Sequence, residues 1–229
     1  MVLKILRLAA HVLFILCIPV LLVTSNGRGA VNTLRLHEYS YDKYNAVTIT
    51  GLEKDELMHI ADELIIYFSS GQELVVVEYF NEREVTHLAD VKNLIKPFYW
   101  VQEASLMYAI LYIIFGYFLL KRKWWPALAK RLIWTSGFTL GFFAAIGVAL
   151  AINFDGLFTW FHEVSFSNYF WLMPPSDLLT KLYPDGFFFE ASLLVVVATV
   201  IECALVAGIS AGYLILRKRK LEASVTTGG

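Results

Sequence analysis

The chain has 229 residues, of which 58% are hydrophobic, 15% aromatic and only 17% charged. A soluble domain is about a quarter charged, so this composition excludes a disordered chain and points to a lipid bilayer as the place where charge is left out. The net charge of −1 offers no argument for a nucleic-acid partner, and two cysteines, Cys17 and Cys203, both inside apolar runs, make no disulfide framework.

Residues 1–24 read as a cytoplasmic N-terminus followed by a first membrane helix over 8–24. Lys4 and Arg7 precede that run, as in a signal sequence, but no small-x-small cleavage site follows its apolar core closely. Phe14, Ile15 and Leu16 before Cys17 are no lipobox, so the run is expected to be a retained anchor. Residues 25–103 are expected to form a small mixed α/β extracytoplasmic cap. Within it Thr50 and Glu53 have capping-box spacing, and Leu57, Ile60, Ala61, Leu64, Ile65 and Phe68 recur at helical spacing up to a cap at Gly71. Residues 74–80 have strand composition, with 46–50 and less clearly 35–41 as pairing partners. Asn81 with Glu84 opens a second helix, which Pro97 is expected to end just before a second span.

Residues 104–154 hold the second and third spans, 104–120 and 132–154, around the basic loop of Lys121, Arg122, Lys123, Lys130 and Arg131. Residues 155–190 form an extracytoplasmic loop with eleven aromatic residues, a density suited to the headgroup layer. Residues 191–229 hold the fourth span, 191–216, and a basic tail from Arg217 to Lys220; 223–229 are small and polar and read as disordered. Eleven of the 19 basic residues fall on one side of this four-span arrangement and 18 of the 20 acidic residues on the other or its flanks. Both termini are therefore expected in the cytoplasm. The fold class is an α-helical integral membrane protein, four transmembrane helices with the α/β cap.

Two outer groupings exceed what an anchor needs. Glu84, His87 and Asp90, followed by Lys92, fall three apart on one helix face, where carboxylates can orient or charge an imidazole. The same pattern also suits an ordinary polar helix face with ion pairs. The second is His162, set among Phe158, Trp160, Phe161, Phe166, Tyr169, Phe170 and Trp171; interfacial anchoring explains the rings but not the histidine. Glu202 in the fourth span is rare for an intramembrane position and suits a hydrogen-bonded structural role equally well. His11, His37 and His59 read as structural or solvated.

The run Glu84-x-x-His87-x-x-Asp90-Val91-Lys92, together with Phe161-His162, Phe166-x-Asn168, Trp171, Asp177-Leu178-Leu179 and Pro184-x-x-Phe187-Phe188, resembles the bacterial lipoprotein intramolecular transacylases over essentially the whole chain. The resemblance implies a membrane acyltransferase whose substrate is a diacylglyceryl-modified lipoprotein, with membrane lipids around it. The enzyme moves the sn-2 acyl chain to the α-amino group of the N-terminal cysteine and leaves a lyso-form lipoprotein. It implies His87 and His162 as the catalytic pair, where cap meets membrane, with neither cofactor nor metal. Glu84, Asp90, Lys92, Asn168, Trp171 and Asp177 are expected as supporting residues, and Phe158, Trp160, Phe161, Phe166, Tyr169 and Phe187 as the substrate-binding aromatic set. Which histidine is base and which is acid stays open here.

Two other readings use the same residues. Glu84, His87, Asp90, His162 and Glu163 have the donor types of a zinc site for lipid-ester hydrolysis, although no helical histidine pair flanks a glutamate. A lipid- or partner-binding scaffold would account for the rings and cap and leave both histidines idle.

Overall fold

A computed structural model describes residues 1–75 and 78–226. Its elements are α1 (Val2–Val31), α2 (Leu34–Lys43), α3 (Ala46–Thr50), α4 (Lys54–Ser69), α5 (Glu82–Leu120), a 3-10 turn (Lys121–Lys123), α6 (Trp124–Ser165), α7 (Leu178–Leu182) and α8 (Asp185–Thr226). Among the described residues there is no strand, which corrects the expected α/β cap. Residues 35–41 lie in α2 and 46–50 form α3; of 74–80, residues 76 and 77 lie outside the described residues and the others are turn or irregular. β-propensity is a statement about packing on a pleated neighbour more than about the backbone. Here Tyr41 and Ala46 are buried in a helical cluster instead. Left-handed Asn45 and Gly51 (φ 54° and 77°) close α3 at both ends, a conformation glycine adopts without strain at its C-cap. Residues 223–226, expected as a disordered tail, continue α8.

The chain divides into two compact units. One comprises Met1–Ser25, Val101–Ile146 and the chain from Val196 onward. Three helical stretches of the described chain are long and apolar enough to cross a membrane: Lys4–Val31, Glu82–Ser165 (α5, the turn and α6 taken together) and Asp185–Thr226. Only 11% to 17% of their apolar windows is buried inside the protein, so side chains such as Met107, Phe115, Phe138 and Ile209 face outward. Helices satisfy their own backbone hydrogen bonds, which is what a lipid environment requires. Inside this unit Phe14 stacks on Tyr112 at 4.1 Å. The Trp124 indole lies so close to Gly116 that a Cβ there would fall 2.2 Å from the ring. His11 takes the structural of its two expected roles: Arg131 donates to its Nε2 (2.9 Å), so its Nδ1–H donates to Tyr112 Oη (2.7 Å).

The other unit comprises Asn26–Trp100 and Gly147–Val195. Its core gathers Tyr41, Ala46, Leu57, Ile60, Ala61, Leu64, Tyr67, Leu88, Leu182, Tyr183 and Phe187. The apolar stripe of α4 is as its spacing predicts, with Tyr67 buried in addition and Ile65 and Phe68 only half-buried. Its capping box is set three residues later than expected, at Glu53 and Glu56. Thr50 ends α3 instead, its hydroxyl donating to Ala46 O (2.7 Å). Ser70 in extended conformation, rather than Gly71, caps the far end. His37 is buried in a one-way chain: Tyr41 donates to Tyr183, Tyr183 to His37 Nδ1 (2.6 Å each), and His37 Nε2–H to Val31 O (3.3 Å).

Pro97 does not end a helix; α5 runs through it. Proline removes one ladder hydrogen bond, and the turn that follows is held by contacts with α1. Phe98 packs on Gly27, where a Cβ would fall 2.9 Å from its ring. Asn32 donates to Tyr99 Oη (2.7 Å), and Arg28 lies over the Tyr99 ring at 4.3 Å.

Candidate active site

His87 stands on the second turn of α5, and the start of that helix is tied down twice. Asn81 N–H donates to Glu84 Oε2 (2.8 Å) and Glu84 N–H to Asn81 Oδ1 (3.1 Å), the reciprocal box that the Asn81/Glu84 spacing predicts. The second Glu84 oxygen, Oε1, accepts from Leu179 N–H (2.6 Å) in α7. Glu84 is 1% exposed, and each of its oxygens is taken by a backbone donor. It therefore anchors the helix that carries His87 instead of orienting the imidazole. Lys92 is likewise committed to structure: its buried ammonium donates to Tyr67 O, Gln72 O (2.7 Å) and Ser70 Oγ (3.3 Å) and lies 4.0 Å over the Tyr67 ring. A cation over the last carbonyls of α4 opposes the negative end of that helix dipole.

His162 owes its position to a break in α6. Asn153 leaves helical geometry (φ −152°, ψ 69°), and its Oδ1 accepts from Gly156 N–H (3.0 Å), as an N-cap does. A Cβ at Gly156 would lie 2.3 Å from the Asn153 amide, so glycine is required there. The last turns of α6 are thus a separately capped segment bearing Phe158, Phe161 and His162. His162 Nδ1 donates to the Phe158 carbonyl (2.7 Å). A carbonyl can only accept, so the neutral ring carries its proton on Nδ1 and keeps its lone pair on Nε2.

The two imidazoles lie nearly parallel, 6.3 Å between centroids and 23° between planes. Both are buried. Phe166 touches each, at 5.2 Å from His87 and 5.5 Å from His162. Phe158 (4.2 Å), Trp171 (4.9 Å) and Phe161 (5.3 Å) complete the apolar surround of His162. Burial pushes the His87 pKa down to about 4, with His162 adding to the shift and Asp90 opposing it. Burial also lowers His162, against the Phe158 carbonyl and the charge of Asp185, which favour its protonated form. Both rings are therefore neutral near pH 7, and a proton on one disfavours a proton on the other.

Of the remaining expected residues, Asn168 donates to Asp90 Oδ2 (2.7 Å) and accepts from Phe170 N–H (3.0 Å). Asp177 precedes α7 as its N-cap residue without a side-chain capping bond. Trp160 and Tyr169 are 60% and 75% exposed and turned outward. Phe187 belongs to the cap core, against Tyr183, while its neighbour Phe188 is the ring that reaches Phe158 (5.4 Å). The donors of the zinc reading are not brought together: among the described residues no three of His, Cys, Asp or Glu gather closely enough to hold a metal ion. Glu84 is consumed elsewhere, and Glu163 is exposed. Asn153, Asp185 and the Phe158 carbonyl are not among the expected site residues, and Phe188 is expected only as part of the family motif. Only the first carries a local signal, an Asn three residues before a Gly.

A buried histidine pair walled by aromatic rings, in a chain whose long apolar helices leave most of their surface outward, is the setting of a membrane-integral enzyme. The chain belongs to the lipoprotein intramolecular transacylase Lit family, whose profile matches residues 12–188. It is similar in structure to the membrane-integral lipoprotein intramolecular transacylase Lit from Bacillus cereus, at 25% identity and a TM-score of 0.81, over 95% of this chain and 99% of that one. A form of the same Bacillus protein with one histidine replaced by arginine aligns at 24% identity and a TM-score of 0.77, over 95% of each chain. An uncharacterised protein of Aquifex aeolicus is 28% identical over 156 residues, covering 64% of this chain and 68% of the relative.

Proposed function

We propose that this protein transfers the sn-2 acyl chain of a diacylglyceryl lipoprotein to the α-amino group of its N-terminal cysteine. The observation that carries the reading is the His87/His162 pair, buried and bracketed by Phe166, in a chain of the transacylase family. Donor ester and acceptor amine belong to one molecule, so bringing them together is the main task, and good intramolecular orientation is worth about 7–11 kcal/mol.

His162, with its lone pair on Nε2, takes the proton of the amine as the nitrogen attacks the ester carbonyl carbon. The neutral N–H of His87 donates to the developing oxyanion. Collapse of the tetrahedral intermediate breaks the bond to the glycerol oxygen, which receives the proton back from His162. One proton circulates, no atom is gained or lost, and no residue is acylated. Burial lowers the pKa of both histidines, which supports a cycle that starts with both rings neutral.

The Lys and Arg distribution supports four spans with both termini cytoplasmic and the 25–103 and 155–190 segments outside. The exposed Trp160 and Tyr169 suit the headgroup layer, among membrane lipids. The deciding experiment measures the mass of a diacyl lipopeptide before and after incubation with the purified protein, with fragmentation to locate the chains. The expected product is an isomer of unchanged mass, one chain on nitrogen and one on glycerol. Free fatty acid released in step with substrate loss would overturn the reading in favour of a hydrolase.

A further inference from the structure

Asp90 lies three residues beyond His87 on α5, so the two side chains share a helix face. It lines a cleft of about 190 Å³ together with Asn93, Leu94, Ser165, Phe166 and Ser167. Phe166 is common to this cleft and to the histidine pair, which places the cleft directly beside the reacting groups. Asn168 holds Asp90 Oδ2 with a neutral amide donor and is itself pinned by Phe170 N–H. The carboxylate is thus oriented without its charge being cancelled. Among the described residues Asp90 forms no ion pair with a lysine or arginine, and Lys92, two positions on, is spent on the end of α4. A half-buried carboxylate that is fixed in place but lacks a counter-charge is built to receive a cation.

We propose that Asp90 is the docking group for the α-ammonium of the substrate's N-terminal cysteine, with Asn93, Ser165 and Ser167 as neutral partners for the first peptide unit. The inference rests on the acyl-transfer reading and adds the subsite that recognises the acceptor. An α-amino group has a pKa of about 8, so it arrives mostly as an ammonium. Asp90 captures that form one helical turn from His87; the ammonium then gives up one proton to solvent, and the neutral amine that remains passes its next proton to His162 as attack begins, the one that returns to the glycerol oxygen. The site selects a free, unacylated N-terminus: an amide nitrogen brings no charge to Asp90, so the N-acylated product is released.

The test measures binding to the full-length protein in lipid nanodiscs, using a lipopeptide whose two chains are ether-linked and cannot transfer. It is prepared with a free amine and, separately, with an N-acetyl cap. Wild-type protein is expected to bind the free-amine form about tenfold or more tightly than the capped form, as a charge-assisted hydrogen bond implies. Asp90→Asn should erase that preference by weakening only the free-amine form, and Asp90→Glu should retain part of it. Equal wild-type affinity for the two forms, which needs no variant to fold, would overturn the proposal. So would an Asp90→Asn protein that keeps the wild-type ratio. Failure of the acyl-transfer reading shows separately, as an ester lipopeptide that wild-type protein leaves with both chains on glycerol.

Discussion

Glu84 sits within one turn of His87, and its geometry makes it a tether, so Glu84→Gln separates structure from catalysis. Each carboxylate oxygen accepts one backbone hydrogen bond, from Asn81 N–H at 2.8 Å and from Leu179 N–H at 2.6 Å. A hydrogen bond to a charged group contributes about 1.5–3 kcal/mol. The amide keeps one acceptor oxygen and turns an NH2 toward the other donor, so the variant should lose about 1.5–3 kcal/mol of stability, and Glu84→Ala about twice that. Assayed well below its melting midpoint, Glu84→Gln should keep turnover within about tenfold of wild type, since the proton-transfer groups are intact. The measurements are thermal or denaturant unfolding of the purified protein, set beside lipopeptide conversion read by mass spectrometry. An unchanged unfolding midpoint with turnover lowered about 100-fold or more would refute the tether and restore Glu84 to the chemistry.

His162→Ala and His87→Ala should each lower turnover by about 100- to 10,000-fold with the unfolding midpoint largely kept; near-normal conversion by either folded variant would remove it from the catalytic pair. His37, His87 and His162 all have pKa values lowered by burial, so the folded protein binds their protons more weakly than the unfolded chain does. Their contribution to stability is complete above the ordinary imidazole value of about 6.5 and is lost as pH falls below it, toward about 4 for His87. Unfolding midpoints measured across that interval should decline, and His37→Gln should flatten part of the decline. A fusion reporter at residue 60 should be active outside the cytoplasm and reporters at both termini inside; the reverse would contradict the four-span orientation.

Much of this protein is legible in one dimension. The apolar runs are contiguous and marked the membrane class by length alone, because a bilayer solvates every face of a helix alike. The Asn81/Glu84 box and the stripe of α4 are local, set by spacings of three and four residues, and they recur in the structure at those positions. His87 and His162 stand out in the sequence itself, one imidazole between carboxylates and the other among rings.

Their partnership was decided only in three dimensions. Seventy-five positions separate the two histidines, and no local pattern encodes the 6.3 Å between them, the shared Phe166 wall, or the burial that keeps both neutral. The same limit explains the misplaced strands. Residues 35–41 and 46–50 have β-compatible composition, yet the buried cluster around Tyr41, Ala46 and α4 holds them as helices, because strand preference is settled by the neighbour a segment finds. Pro97 stays inside α5 because Phe98 and Tyr99 dock on α1, contacts made across some seventy residues. Glu84 and Lys92, which the motif presents beside His87, turn instead to the backbone of α7 and to the end of α4. A linear motif records which residues are near in the chain, whereas hydrogen-bond donors and acceptors left over at distant helix ends determine where each buried charge must go.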